Sequence, residues 1–322
     1  MKELTILLPV FNEIEIIDDC FDAVSELIKI INYRIRDLSI KILFIDNYST
    51  DGTWQKLENK LRNEKGWQAV RLVRNYGVQA SLLRGMSIAK SDGLLVFQSD
   101  LQDPKEVASN LVELWFNGAR VVVGITSQRS ENALDRFSRN IFYKILKNSS
   151  DFGLQPWLHD FYVLDYQVYS QLFINGYQHE FIRGRITEEF GIDKKVHYSR
   201  LPRLKGHSSF NYARKHSMAL DGVLRFGGKI ARFISLFAIS TSLVNIFIIL
   251  FLIISWVFGG RSPIQGWLSL FSLGLAILSA ITLLIAIVLE FQFRILRLSQ
   301  NSVAPFIVEK INFDSEPDRN DR

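Results

Sequence analysis

The sequence predicts an α/β domain with a mostly parallel, Rossmann-like sheet, followed by juxtamembrane helices and a two-helix transmembrane hairpin. Two observations support this prediction. Short apolar, β-branched runs alternate with helical stretches up to about residue 125, and two long uncharged runs follow residue 232. A chain of 322 residues can hold one sizeable domain with a smaller part beside it.

The predicted sheet is built from apolar runs with the composition of buried strands: Leu4–Pro9, Ile40–Ile45, Val70–Val73, Leu94–Phe97 and Val121–Ile125. Helical stretches separate them, near Ile14–Ile31, Thr53–Asn63, Val78–Ala89 and Pro104–Phe116. Strands that are apolar throughout and separated by helices are typical of a parallel sheet covered on both faces.

Polar clusters follow three of these strands. Asn12 and Glu13 come after the first strand, Asp46–Asp51 after the second and Ser99–Asp103 after the fourth. Ligands of parallel sheets bind beyond the carboxyl ends of the strands. We therefore expect these clusters to form one ligand site.

The loop after the fourth strand has the composition of a cation site. The carboxylate of Asp100 and the amide oxygen of Gln102 are ligands suited to Mg²⁺ or Mn²⁺. Such an ion would bridge the phosphates of a nucleotide-sugar and neutralise the leaving group. An acidic loop alone is weak evidence, and Asp103 before Pro104 is best interpreted as a helix N-cap.

The soluble domain is expected to include residues 1–228, with amphipathic juxtamembrane helices near 131–148 and 212–228. The apolar face of Leu134–Leu146 could lie in the headgroup layer, or the helix could instead cover the sheet.

The anchor is expected at residues 229–292, with spans near 233–258 and 265–289 joined by Gly259–Arg261. Each uncharged run exceeds the roughly 20 residues that a helix needs to cross a bilayer. The alternative is a pair of buried core helices. Basic residues flank the spans: Arg225, Lys229 and Arg232 before them, Arg294 and Arg297 after them. The positive-inside rule then places both termini, including the tail 293–322, on the cytoplasmic side of the cell inner (cytoplasmic) membrane.

Charge and cysteine content indicate which binding partners and which cellular compartment to expect. The net charge is +5, and the basic residues gather near the spans, without a motif that reads nucleic acid, so an anionic membrane surface is the expected partner. The N-terminus does not have the pattern of a signal peptide. The single cysteine, Cys20, excludes an internal disulfide and agrees with a reducing compartment.

Four motifs occur in order: Leu4–Glu13 (LTILLPVFNE), Phe44–Thr53 (FIDNYSTDGT), Arg74–Gly77 (RNYG) and Ser99–Pro104 (SDLQDP). Together they resemble the family 2 glycosyltransferases, which have the GT-A fold. Within that family the chain is similar to the polyprenyl-phosphate glycosyltransferases, such as dolichol-phosphate mannose synthases and bacterial undecaprenyl-phosphate glucosyltransferases. The resemblance extends over about residues 4–310 and includes Asp160-Phe161, Phe181–Gly184, Arg203–Ser208, Leu220–Gly222 and Pro305–Glu309.

The resemblance implies a role for each matching position. Asp100 and Gln102 would hold the metal ion, with Asp100 catalytic, and Asp160 would lie beside the reacting centre. The positions expected to bind the nucleotide-sugar donor are Pro9, Val10, Asn12, Glu13, Asp46, Asn47, Arg74 and Gly77. Those expected to face phosphate groups are Arg183, Arg203, Ser208, Arg214 and Lys215. Asp46 could instead be a turn residue, and Arg203 could meet lipid headgroups.

Some positions depart from the family pattern. Gln98 replaces a common acidic residue, and Val78 and Ser209 replace common basic ones. These changes weaken metal and phosphate binding or signal a different sugar. Arg214 and Lys215 are hypothesised to supply the charge that is missing at Ser209.

The resemblance implies inverting transfer of one sugar to a polyisoprenyl phosphate. A phosphate monoester has a second pKa of about 6, so it is largely dianionic at neutral pH and needs little help from a base. Asp160 is therefore expected to position groups. The alternatives are a processive polysaccharide synthase, whose Gln-x-x-Arg-Trp segment is absent, and a catalytically weakened subunit that binds the lipid carrier for a partner flippase. A homo-oligomer is also expected.

Overall fold

The structure, a computed structural model, describes residues 1–62, 64, 66–126, 158–174, 182–202, 228–258, 267–298 and 304–313. The chain divides into two units. One contains residues 1–137, 152–211 and 301–322, and the other contains residues 138–151 and 212–300. The sheet belongs to the first unit, and a pair of long helices belongs to the second.

The described strands form one eight-stranded sheet: β1 (Lys2–Val10), β2 (Leu38–Asp46), β3 (Trp67–Leu72), β4 (Gly93–Val96), β5 (Val121–Thr126), β6 (Leu158–Asp165), β7 (Lys194–Tyr198) and β8 (Ile307–Ile311). Their order in space is β7-β5-β6-β4-β1-β2-β3-β8. β1 is parallel to β2 and β4, β2 to β3, and β5 to β7. β6 is antiparallel to β4 and β5, and β8 is antiparallel to β3. The carboxyl ends of β1, β2 and β4 therefore lie at one edge.

Helices connect the strands: α1 (Ile17–Arg34), α2 (Thr53–Leu61), α3 (Val78–Ile88), α4 (Lys105–Phe116), α5 (Tyr166–Leu172) and α6 (Ile182–Arg185), which continues into a π-helical turn at Ile186–Phe190. They cover both faces of the sheet. Leu4, Ile6 and Leu8 of β1 are buried with α1, α2 and α4, whereas Leu7 is buried with α3, α5 and α6. The absence of a side chain at Gly85 lets α3 approach β1, since a β-carbon there would lie 2.4 Å from Leu7 Cδ1.

The predicted parallel sheet is confirmed, and the predicted runs lie on β1 to β5. β3 begins at Trp67 instead of Val70, because the polar Gln68 interrupts the apolar run without interrupting the ladder. The sequence pattern does not predict β6, β7 or β8. β7 and β8 are five-residue strands rich in charge, and β8 lies within the segment expected to be a simple tail.

The second unit contains α7 (Gly228–Val257) and α8 (Trp267–Leu298), which pack on each other. Asn245 Nδ2 donates to Ser279 Oγ at 3.0 Å, and small side chains at Ala238, Ser242 and Ala286 are buried. Large apolar side chains such as Phe247 face outward. Within the described residues, Leu270–Leu289 is long and apolar enough to span a membrane, with a hydropathy of 2.6, while α7 has a shorter apolar stretch, Leu236–Phe251.

Several predictions fall outside the described residues. They are the amphipathic helix near 131–148, nearly all of the one near 212–228, and the connector Gly259–Arg261.

Cys20 provides a test of the packing of α1. Its side chain is fully buried, and burial, with the nearby charges of Glu13 and Asp100, raises the pKa of the thiol to about 12. At pH 8 the native thiolate fraction is therefore about one in ten thousand, against roughly a quarter in the unfolded chain. We expect iodoacetamide to leave the native protein unmodified at pH 8 and to alkylate it fully in guanidinium chloride, as measured by intact mass.

The sign of the pH dependence follows from the raised pKa. Burial of the neutral thiol contributes stability that is complete below the unfolded pKa of about 8.5 and is lost as the pH rises toward 12. Rapid alkylation of the native protein at pH 8 would show that α1 does not bury Cys20.

Candidate functional site

The loops after β1, β2 and β4 are joined by direct hydrogen bonds. The main-chain N–H of Asn12 donates to Ser49 Oγ at 2.9 Å, and Asn12 Oδ1 accepts from the N–H of Thr50 at 2.8 Å. Ser99 Oγ donates to the carbonyl of Pro9 at 2.9 Å. These polar clusters therefore meet at one edge of the sheet.

Asp46 ends β2, and its side chain is completely buried. Both carboxylate oxygens accept from the N–H of Ser49 at 3.2 Å, and Arg71 Nε lies 3.3 Å from Oδ2. Desolvation raises the pKa of Asp46, and the bonds from Ser49 and the charge of Arg71 only partly offset it. Asp46 therefore organises the loop that follows it, as the interpretation of this residue as a turn former expects.

Asn47, which follows β2, forms hydrogen bonds with the loop after β3. Asn47 Nδ2 donates to Asn75 Oδ1 at 2.9 Å, and Asn47 Oδ1 accepts from the N–H of Tyr76 at 2.9 Å. Gly77 has a φ of 84° and precedes the first turn of α3. Arg74 stacks over the ring of Tyr76 at 4.7 Å. Asn47, Arg74 and Gly77 thus belong to one connected rim.

The predicted residues at the end of β1 divide into two groups. Pro9 and Val10 are buried, with Val10 in the core and its carbonyl accepting from the N–H of Asn47 at 2.9 Å. Asn12, with a φ of 54°, and Glu13 follow the strand, and the N–H of Glu13 donates to Thr53 Oγ1 at 2.9 Å.

The loop after β4 is held by residues that follow β7. Asp100 Oδ1 accepts from the N–H of Gln102 at 3.2 Å, and Arg200 Nη2 lies 3.7 Å from Asp100 Oδ2. Gln102 Nε2 donates to the carbonyl of Leu201 at 3.2 Å, while the N–H of Leu201 donates to the carbonyl of Gln102 at 2.8 Å. The acidic loop and the β7 loop therefore form one unit.

The prediction that Asp103 caps α4 is wrong. Pro104 is the N-cap residue, and no side chain donates or accepts a capping bond there. The buried carboxylate of Asp103 instead accepts from the Tyr198 hydroxyl at 2.6 Å and from Arg200 Nε at 3.2 Å. The phenol and the guanidinium give this desolvated carboxylate charge-assisted hydrogen bonds. Desolvation still raises the pKa of Asp103 overall.

The acidic loop offers two oxygens that fit a divalent cation. The amide of Gln102 uses its Nε2 to donate to the carbonyl of Leu201. Its Oε1 is buried and has no hydrogen-bond donor among the described residues. A buried amide oxygen beside the Asp100 carboxylate suits Mg²⁺ or Mn²⁺. Within the described ranges no three His, Cys, Asp or Glu side chains cluster as a metal site, so most other ligands must come from substrate and water.

Asp160 lies in β6, and its carboxylate is largely buried. Gln79 Nε2 donates to Asp160 Oδ2 at 2.8 Å, Arg183 Nε lies 3.5 Å from Oδ1, and Gln98 Nε2 donates to the Asp160 carbonyl at 3.1 Å. Arg183 also donates to the carbonyl of Leu158 at 2.5 Å. Asp160 is thus fixed from three sides, and the amide of Gln98 is one of the groups that fix it.

Two residues of this arrangement were not singled out by the sequence. Arg200 precedes Arg203 by three positions, and Gln79 is buried in the first turn of α3. A single arginine and a single glutamine leave no pattern that could have identified them. The predicted phosphate contacts Arg203, Ser208, Arg214 and Lys215, as well as Ser209, lie outside the described residues.

Relatives of known name cover most of this chain. It is 24% identical over 297 residues to the uncharacterized glycosyltransferase YkcC of Bacillus subtilis (strain 168), covering 91% of this chain and 89% of that protein. It is 28% identical over 278 residues to the bactoprenol glucosyl transferase of Shigella phage SfV, covering 83% of this chain and 86% of that protein. A prophage bactoprenol glucosyl transferase homolog of Escherichia coli (strain K12) is 28% identical over 225 residues, covering 70% and 72%.

The family described as glycosyl transferase family 2 matches residues 5–174, from the start of β1 to the end of α5. The match includes the Asn12, Asp46, Asp100 and Asp160 positions. It confirms the resemblance seen in the four ordered motifs. This chain therefore belongs to glycosyl transferase family 2, and the protein is a glycosyltransferase of the GT-A-like α/β type.

Proposed function

We propose that this glycosyltransferase transfers one sugar from a UDP- or GDP-linked donor to a polyisoprenyl phosphate such as undecaprenyl phosphate, with inversion, at the cytoplasmic face of the membrane. The observation that carries the proposal is the meeting of Asp100, Gln102 and Arg200 at the edge of the sheet. A carboxylate, a buried amide oxygen with no hydrogen-bond donor among the described residues and a guanidinium suit a diphosphate that arrives with its cation.

The donor would bind across the loops after β1, β2 and β3, which are already hydrogen-bonded to one another. Asn12, Asn47 and Gly77 would border its nucleoside, and Asp100 and Gln102 would hold Mg²⁺ or Mn²⁺ against its phosphates. When bound, that ion supplies positive charge that neutralises the departing nucleoside diphosphate. Arg200, 3.7 Å from Asp100, lies where its guanidinium could add to this neutralisation.

The acceptor would be a phosphate rather than a hydroxyl group. Asp160 is held by Gln79 and Arg183, so its carboxylate is better placed to orient groups than to remove a proton. A lipid phosphate does not require such a base, since it is mostly ionised at neutral pH with a second pKa of about 6. Arg183, Arg203, Arg214 and Lys215 would supply the positive charge that receives the phosphate, and the hydroxyl of Ser208 would donate a hydrogen bond to it.

The helix pair supports a membrane-embedded acceptor. Leu270–Leu289 has the length and composition of a span, and relatives such as that of phage SfV are named for bactoprenol. β8 follows α8 in the chain yet pairs with β3 of the same sheet that β1 begins. In the proposed arrangement both ends of the helix pair would lie on the same side of the membrane, and α7 would provide a second span beside α8.

Asp100 provides the test of the chemistry. We expect Asp100→Ala to lower the rate of transfer by about 100-fold or more, because charge on the leaving group is no longer neutralised. The measurement is the transfer of radiolabelled sugar to undecaprenyl phosphate in detergent, with and without EDTA and re-added Mg²⁺ or Mn²⁺.

The matched control is Glu106→Gln, which removes an exposed carboxylate from the first turn of the helix after the same loop. It should retain wild-type activity. Native turnover by the Asp100→Ala protein contradicts the proposed metal role, and a polymer instead of one sugar per lipid contradicts the proposed product.

The proposed two-span arrangement of α7 and α8 provides a second test. We expect tags at the N-terminus and the C-terminus to be digested from the cytoplasmic side in inside-out vesicles, and a tag inserted between Phe258 and Trp267 to be digested only from the other side. Protease protection followed by immunoblotting measures this. A connector tag that is cut from the cytoplasmic side would reject the two-span arrangement.

A further inference from the structure

The strand that follows the helix pair completes the sheet beside the proposed nucleoside site. β8 pairs antiparallel with β3, and the register places Glu309 directly opposite Arg71. The N–H of Val73 also donates to the carbonyl of Phe306 at 3.0 Å, which extends the pairing past the end of β3. Cross-strand neighbours in such a register are held within reach of each other.

Glu309 bonds two partly buried donors at once. Its Oε1 accepts from Arg71 Nη1 at 3.2 Å, and its Oε2 accepts from Trp54 Nε1 at 2.6 Å. Trp54 is 2% exposed, and the Arg71 side chain is 18% exposed. A carboxylate that bonds an arginine and a buried indole holds both in fixed orientations.

Arg71 also forms an ion pair with β2 and donates a hydrogen bond to the loop that follows it. Its Nε lies 3.3 Å from Asp46 Oδ2, and its Nη2 donates to the carbonyl of Ser49 at 3.0 Å. The ring of Tyr48 lies 5.3 Å from the guanidinium carbon. Arg71 therefore connects Glu309 of β8 to residues 46–49, which we call the β2 loop.

The β2 loop needs this support because its backbone is unusual. Tyr48 has a φ of 67°, a conformation that bulky residues rarely adopt unless their surroundings hold them there. The same residue is 43% exposed, so its ring is available at the site. Ser49 of the loop accepts from the main-chain N–H of Asn12, and the N–H of Thr50, the next residue, donates to Asn12 Oδ1.

We infer that Glu309 is a positioning residue for donor binding: through Arg71 it holds the β2 loop, and with it Tyr48 and Asn12, in the shape that receives the nucleoside. This inference rests on the proposed function, since it assumes that a nucleotide-sugar binds at this edge. Glu309 does not touch the donor, and its effect is on affinity for the nucleotide rather than on the transfer step.

Other contacts, made by Asn312, also hold β8 on the sheet. The role of Glu309 in donor binding can therefore be tested separately from the attachment of the strand. Asn312 Nδ2 donates to the carbonyls of Leu61, Glu64 and Trp67 at 2.7, 3.2 and 2.9 Å. These bonds hold the end of the strand to α2 and to the start of β3 and involve neither Arg71 nor the β2 loop. Asn312→Ala is therefore the matched control for a purely structural role.

The experiment compares Glu309→Ala, Glu309→Gln and Asn312→Ala in the full-length protein in detergent. UDP and GDP binding is measured by calorimetry in the presence of Mg²⁺, together with the donor KM, the acceptor KM, kcat and Tm. We expect Glu309→Ala, which loses the hydrogen bonds from Arg71 and Trp54, to weaken binding of the preferred nucleotide and raise the donor KM about tenfold. The acceptor KM and kcat at saturating donor should change less than about twofold.

Glu309→Gln keeps the volume of the side chain and one acceptor oxygen, so it should show an intermediate donor KM, and it tests the inference even if the alanine variant does not fold. Asn312→Ala should lower Tm and leave the donor KM unchanged. Wild-type nucleotide affinity in both Glu309 variants overturns the inference, and so does an equal loss of affinity in Asn312→Ala. If the wild-type protein binds neither nucleotide, the proposed donor site is wrong, and the inference about Glu309 is wrong with it.

Discussion

The constraint on which the site depends is that β1, β2 and β4 are buried on both faces and end at the same edge. Their last residues are buried away from solvent, so the polar groups that follow must form hydrogen bonds with one another. Ser49 bonds Asn12, Ser99 bonds the carbonyl of Pro9, and Asn47 bonds the loop after β3. The rim is therefore built before any ligand binds, and a ligand that enters meets groups already in place. Such preorganisation lowers the cost of binding and orientation.

Charge at this rim is arranged in acid–arginine pairs whose arginines come from later in the chain. Arg71 of β3 faces Asp46, Arg183 of α6 faces Asp160, and Arg200 after β7 faces Asp103 and Asp100. Desolvation raises the pKa of both Asp46 and Asp103, and the hydrogen bonds and arginine charges beside them lower it only in part. Arginine suits this position because it remains charged whether it faces a carboxylate or the phosphate of an incoming substrate.

The sequence could predict the part of this arrangement that depends on local pattern. Uniform apolar runs predicted β1 to β5, and the rule that ligands bind at the carboxyl ends of parallel strands predicted which loops meet. The pairs that complete the site join residues far apart: Gln79 and Asp160 are separated by 81 positions, Asp103 and Arg200 by 97, and Arg71 and Glu309 by 238. These pairs depend on strand order and register, which short charged strands such as β7 and β8 do not reveal. The mistaken cap at Asp103 has the same origin, since a local interpretation could not include Tyr198.

Gln98 shows how a departure from a family pattern can be interpreted physically. From the sequence, an amide where a carboxylate is common suggests a weakened metal site. In the structure the amide donates to the carbonyl of Asp160, a bond that a carboxylate could not make. The acidic loop then retains one carboxylate, Asp100, and one amide oxygen, that of Gln102, as candidate ligands. Two protein oxygens are too few for a cation that prefers six, so in the proposed reaction the donor's phosphates must complete the coordination. In that proposal the ion and the donor would bind together, and Gln98 would lower the number of protein carboxylates near the ion without removing the need for it.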